Sequence, residues 1–178
     1  MRIFALSSTN APFVAEFMAR IKPEWWSIEG ALETITSPGI VGWYMGERED
    51  APVGFIHLKE LESYSCGELE SWGFDDNGVF TTGEKLAVLF DVAEQYVASK
   101  GFRLIRATLT WAGNENITNY AEELMKITND AEALISHNPD KSGGYVYLLS
   151  RGYRPAGFIP NCYGVNIHGN MLVKNLCE

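Results

Sequence analysis

Residues 81–111 read TTGEKLAVLFDVAEQYVASKGFRLIRATLTW, and the fold is decided by how this stretch is read. Thr81-Thr82-Gly83-Glu84 has the spacing of a capping box, in which a threonine hydroxyl accepts from the third helical amide and the glutamate reaches back. Leu86, Leu89, Phe90, Ala93, Tyr96 and Val97 then recur at helical spacing and give the helix one buried stripe. Gly101 supplies the left-handed residue that ends it. Over residues 102–111 the period changes to two, with Ile105, Ala107, Leu109 and Trp111 on one face and Arg106, Thr108 and Thr110 on the other. With a strand ahead of it, the stretch becomes a strand-helix-strand crossover of right-handed sense.

Upstream, residues 40–46, 52–61 and 66–74 are three strand-like runs separated by short polar segments, the pattern of an antiparallel meander. In the middle run Val53, Phe55 and His57 alternate with Gly54, Ile56 and Leu58, so both faces are apolar and the strand is expected mid-sheet. Residues 2–6 open the chain as a short strand. Ser8-Thr9-Asn10 offer capping side chains ahead of a helix carrying Phe13, Val14, Phe17, Met18 and Ile21. A second helix is expected from Pro23 through Trp25, Trp26, Ile28, Leu32 and Ile35, stopping before Ser37-Pro38-Gly39.

Downstream of Gly113-Asn114, Tyr120, Leu124, Met125, Ile127, Leu134 and Ile135 read as one helix broken near Asn129, or two. Residues 138–144 read as a loop and 145–151 as a short helix ended by Gly152. Residues 153–160 and 171–176 read as closing strands with a glycine-spaced loop between them. The expected order is β-α-α-β-β-β-α-β-α-α-β-β. Without an internal repeat or linker, the reading is a single domain, 1–178, of α/β (α+β) class, with a largely antiparallel twisted sheet flanked by helices.

The 178 residues include 46% hydrophobic residues and 17 glycines. A chain of this length buries roughly 70% of the surface its unfolded form exposes, so it needs no disulfide or structural metal to fold. Fourteen Lys plus Arg against 23 Asp plus Glu give 14 − 23 = −9, which argues against a general grip on nucleic acid. Cys66, Cys162 and Cys177 are odd in number and far apart, which fits neither a disulfide framework nor a zinc cage, and points to a reducing cytoplasm. Residues 3–6 are too short for a signal-peptide core, and no run approaches the eighteen apolar residues of a membrane span. A soluble cytoplasmic protein with no nucleic-acid or membrane partner is expected.

Taken with these elements, the segment from Leu86 to Phe102, with its Lys100-Gly101-Phe102 turn, resembles the coenzyme-binding helix of the GNAT superfamily of N-acetyltransferases. Tyr147-Leu-Leu-Ser-Arg-Gly-Tyr-Arg-Pro is similar to that family's late helix-to-strand junction, and Met171-Leu-Val-Lys-Asn-Leu resembles its last strand. The resemblance covers nearly the whole chain. It implies transfer of an acetyl group from acetyl-CoA, as co-substrate, to an amine. It also implies that the pyrophosphate meets Thr81, Thr82, Gly83, Glu84, Lys85 and Leu86, where a helix N-terminus presents free amides and a positive dipole end. Thr81 stands where the family has a basic or amide residue, and Glu84 and Leu86 stand where it has glycines, while Lys85 can compensate charge. A homodimer is compatible with the resemblance. The alternative reading is a GNAT-fold binding or regulatory module without catalysis.

Acyl transfer to an amine needs a base, an oxyanion donor and a proton for the leaving thiolate. The resemblance implies a carboxylate base on the fourth strand, where Glu70, and after it Glu68, share a face by period two. It implies a backbone amide as oxyanion donor, and Gly73 favours a bulge over residues 71–73. The family's tyrosine acid would fall on Leu148; Tyr147 is the neighbouring candidate, with core packing as its plainer role.

His57, His137 and His168 share no metal-ligand spacing, so no metal site is expected. His57 reads as a hydrogen-bonded core residue and His168 as exposed in the last hairpin loop. A thiol nucleophile at Cys162 beside His168 is the rival chemistry, without an evident cation to lower the thiol pKa. Trp25 and Trp26 are the aromatic pair placed to line an acceptor pocket. Glu60, Glu62, Glu68, Glu70, Asp75, Asp76 and Glu84 put seven acids between positions 60 and 84 with no Lys or Arg, which favours a small cationic amine such as a polyamine.

Overall fold

The computed structural model describes residues 1–75, 82–111, 143–164 and 167–176. Its elements are β1 (Arg2–Ala5), α1 (Ala11–Ile21), α2 (Ile28–Ile35), β2 (Ile40–Gly46), β3 (Pro52–Leu61), a 3-10 turn (Glu62–Tyr64), β4 (Cys66–Phe74), α3 (Thr82–Ser99), β5 (Leu104–Trp111), α4 (Gly143–Ser150), β6 (Arg154–Gly164) and β7 (Ile167–Asn175). They fall into two compact units, residues 1–105 with Leu176, and residues 106–175.

In the first unit β1, β2, β3 and β4 pair successively and antiparallel, with the three meander strands at their expected bounds. β3 is hydrogen-bonded on both sides, which explains why Phe55, Ile56, His57 and Leu58 are all buried. Helices cover both faces. Val14, Ala15, Phe17 and Met18 of α1 and Ala31 and Ile35 of α2 close over Tyr44 and Phe55 on one face. On the other, α3 sets Tyr96 edge-on to Trp43 at 5.0 Å and Phe90 edge-on to Trp72 at 5.5 Å. Burial of each such side chain is worth about 1.5–3 kcal/mol, so the face pattern of these helices holds the unit together.

The ends of the elements carry the corrections. Asn10 precedes α1 but its side chain caps no helical amide: Nδ2 donates to Ala5 O and Glu49 Oε1, and Oδ1 accepts from Ser7 N, anchoring the loop before the helix. α2 begins at Ile28 and not near Pro23, because the Ser27 hydroxyl accepts from Gly30 N at 3.0 Å and fixes the start there. Residues 23–25 form a turn.

α3 buries Leu89, Phe90, Ala93 and Val97, while Leu86 and Tyr96 are half-buried at its margins. It closes as a Schellman motif, with Gly101 at φ 74, Gly101 N bonded to Ala98 O and Phe102 N to Val97 O. That closure consumes the amides of 101 and 102, so β5 starts at Leu104 and not at 102. Arg103 N then donates to Ser65 O, which places the start of β5 beside the start of β4, as a crossover requires.

The second unit repeats the device. α4 begins at Gly143, two residues before the expected start, and Gly152, at φ 85, closes it through Gly152 N to Leu149 O and Tyr153 N to Leu148 O. Residues 161–164 and 167–170, expected within the glycine-spaced loop, are instead strand. β6 and β7 form a long antiparallel hairpin with register shifts after Pro155 and Ile159. Gly169 sits where a Cβ would lie 2.8 Å from Thr108 Cγ2 and 3.1 Å from Cys162 Cβ, so this glycine marks close strand approach. The helix or helices expected between 114 and 135 lie outside the described residues, as does Thr81.

Candidate active site

β4 carries the departure from regular pairing that the sequence anticipated, one residue earlier than expected. Leu58 pairs with Leu69 and His57 with Ser71, so Glu70 is the extra residue of a bulge. Ser71 and Gly73 are held in register, Ser71 opposite His57 and Gly73 opposite Phe55, where a Cβ at Gly73 would meet Ile21 Cδ1 at 2.8 Å. The bulge is thereby confined to Glu70, which is exposed between buried Leu69 and half-buried Ser71. Period-two alternation therefore stops at Glu70. Glu68 is half-buried and pairs across the strands with Lys59.

His57 stands at the same register step. Its ring stacks on Phe55 at 4.9 Å, and its Nδ1 lies 3.3 Å from Ser71 Oγ. Complete burial pushes its pKa down to about 3, so the ring is neutral. Nε2 is buried without a hydrogen-bond partner among the described residues, a state that costs roughly 1–3 kcal/mol. Gly42 makes room for the ring: a Cβ there would fall 2.3 Å from His57 Cδ2. The sequence marked His57 as a hydrogen-bonded core residue; its link to the bulge is visible only once strand register is known.

Among the described residues, Glu60 and Asp75 of the clustered acids meet cations distant in sequence. Glu60 Oε1 accepts from Tyr96 Oη at 2.7 Å and lies 3.2 Å from Lys100 Nζ, and Asp75 meets Arg20 at 2.9 Å. Burial first, then the bond to Glu60, raises the Tyr96 pKa; the contact with Tyr96 leads the rise at Lys100.

Thr82, Gly83, Glu84, Lys85 and Leu86 form the first turn of α3, which runs for 18 residues. In α4, Leu148 is fully buried and Tyr147 is half-buried beside it. Trp25 and Trp26 part company. Trp25 is 58% exposed with the Lys22 ammonium 5.0 Å from its ring centroid, whereas Trp26 packs against the α1–α2 core. Cys162 is exposed and Cys66 buried, both as free thiols; His168 is a β7 residue and not a loop residue.

A cavity of about 430 Å³ opens between the β1–α1 and α2–β2 loops, lined by Leu6, Ile35, Val41, Trp43 and Tyr96 with several hydroxyls. Thr36 and Ser37 spend their hydroxyls on Leu32 O and Glu33 O, and Tyr96 on Glu60, leaving an apolar groove with few polar groups for a ligand. Among the described residues no group of three or more His, Cys, Asp or Glu could hold a metal, and no helix is long and apolar enough to cross a membrane.

Solved structures share this architecture end to end. An aminoglycoside 6'-N-acetyltransferase from Enterococcus faecium superposes with a TM-score of 0.72 at 17% identity, covering 100% of this chain and 98% of that one. The chain has the GNAT acetyltransferase fold. An aminoglycoside 6'-N-acetyltransferase complexed with coenzyme A gives 0.73 at 16% identity over 100% and 98% of the chains. The ribosomal-protein-S18-alanine N-acetyltransferase from Escherichia coli gives 0.66 at 9% identity over 99% and 94%. By sequence, no family model and no curated protein matches. The GNAT fold is thus present with little sequence identity behind it.

Proposed function

We propose that the protein is an acyl-coenzyme A dependent N-acyltransferase that moves an acetyl group from acetyl-CoA to a small cationic amine, with residues 1–178 acting as one cytoplasmic domain. The observation that carries this reading is the end-to-end likeness to an acetyltransferase complexed with coenzyme A. The exposed carboxylate of Glu70 at the β4 bulge supports it.

In this reading the amine nitrogen attacks the thioester carbonyl, the C–N bond forms and the C–S bond breaks. Glu70, directly or through water, takes the proton the amine loses, with Glu68 as the second carboxylate. A backbone amide of β4 at the bulge stabilises the oxyanion. The thiolate is protonated by Tyr147 or by solvent. Thr81 to Leu86 receive the pyrophosphate, with Gly83 allowing close approach and Lys85 offsetting Glu84.

Thermal unfolding with and without millimolar acetyl-CoA tests the reading. A ligand that binds only the native state adds RT ln(1 + [L]/Kd), about 2.7 kcal/mol at a hundredfold excess over Kd. No shift in midpoint would refute it. Given a shift, thiol release is followed with a panel of amines, where Glu70→Gln is expected to lower kcat at least tenfold; an unchanged rate removes Glu70 as base. The second reading, a non-catalytic GNAT-fold module, is favoured by the buried Leu148 at the proton-donor position. A thermal shift without thiol release from any amine would select it.

A further inference from the structure

Three observations meet at one register step of the β3–β4 ladder. His57 and Ser71 are cross-strand partners, the extra residue Glu70 immediately precedes Ser71, and the next pair, Leu58 with Leu69, resumes on the far side. His57 Nδ1 and Ser71 Oγ lie 3.3 Å apart and link β3 to β4 at the bulge. The imidazole cannot swing away. It is held by stacking on Phe55 and by Gly42, whose missing side chain leaves the ring its seat. Among the described residues the remaining ring nitrogen has no hydrogen-bond partner, so the fold tolerates a buried polar atom at a site where an apolar side chain would be less costly. A polar residue kept on such terms beside a candidate reaction centre is better explained by what it orients than by what it stabilises.

We infer that His57 is a positioning residue for acyl transfer: its bond to Ser71 clamps the β4 bulge and so fixes Glu70 and the adjoining backbone amide against the thioester carbonyl. This rests on the acyltransferase reading above. The imidazole touches no reacting atom; it works through Ser71, and its neutrality at assay pH makes it a fixed hydrogen-bonding group and not an acid–base group.

The two ring nitrogens can be tested separately, because an Asn amide occupies the place of Nδ1 and a Gln amide the place of Nε2. Three variants, His57→Asn, His57→Gln and His57→Leu, are compared with Ser71→Ala in acetyl-CoA thiol release. Leu, Gln and Ser71→Ala are expected to lower kcat at least tenfold with KM for acetyl-CoA within twofold, and Asn to recover most of the lost kcat. His57→Leu is expected to melt no lower than wild type, which a merely structural role would not give. Activity in Gln but not in Asn would overturn the clamp, as would wild-type kcat in Leu. Loss of an activity limb between pH 5 and 8 in His57→Asn would make His57 a proton-transfer group and also overturn it. Amide hydrogen exchange at residues 69–72 needs no substrate. Exchange at least tenfold faster in Leu and in Ser71→Ala, restored in Asn, supports the clamp even where no amine is acetylated; unchanged exchange refutes it whatever the activity.

Discussion

His57 lies fully buried on the middle strand of the meander, and its depressed pKa couples folding to acid. Below about pH 6.5 the unfolded chain protonates this ring while the native one does not until about 3, so between those values the unfolded state binds more protons and stability falls as pH falls. His57→Leu removes that slope. Relative to wild type, the variant is expected to gain about 2 kcal/mol in urea unfolding at pH 4.5 compared with pH 7; parallel pH dependences would show that His57 is accessible to protons in the native state. Gly42 is the complementary test. A methyl there would sit 2.3 Å from His57 Cδ2 and 3.1 Å from Ile56 O, and Gly42→Ala is expected to cost on the order of 1–3 kcal/mol. In a His57→Ala background that cost should shrink, and an additive double-mutant cycle would deny the contact. At this scale the sequence shows His57 as a buried polar residue but neither of its neighbours, because Gly42 and Ser71 reach it only through strand register.

Elements were legible where their signal is local. The meander strands, the α3 stripe and the two helix-ending glycines all follow from spacing and residue type, because burial of one face and a left-handed φ are properties of a few consecutive residues. Gly101 tests the second of these in isolation. Nothing lies within 4 Å of a Cβ built there, so Gly101→Ala strains only the backbone, by about 1–2 kcal/mol, and Gly101→Asn should cost less. Equal melting temperatures for Gly101→Ala and wild type would mean that the closing turn relaxes. Element ends were less legible, since they depend on competition among donors. Ser27 takes over as the start of α2, the Asn10 amide is drawn to Ala5 and Glu49, and the Schellman amides delay β5. The bulge fell at Glu70 because His57 and Phe55 hold Ser71 and Gly73 in register.

Across the whole molecule the net charge of −9 is unevenly spread, yet the acid-rich run from 60 to 84 is less bare than its sequence implies. Lys100 and Tyr96 engage Glu60, and Arg20 engages Asp75, each brought in from a helix, or the turn that closes it, distant in sequence. Long-range attraction for a cationic acceptor is therefore expected to be modest and to be screened within about 8 Å at physiological salt. The KM of a diamine acceptor should rise as salt increases from 20 to 300 mM while that of a neutral amine stays within twofold; identical salt responses would argue against charge selection. By itself the sequence determined the order of the described elements, the apolar faces and the likeness to the GNAT fold, because periodicity and turn chemistry are written in neighbouring residues. Only tertiary structure decided which strand positions oppose one another. That pairing placed the extra residue at Glu70, set His57 against Ser71 and supplied the acids with distant cations, since register is fixed by packing between segments far apart in the chain.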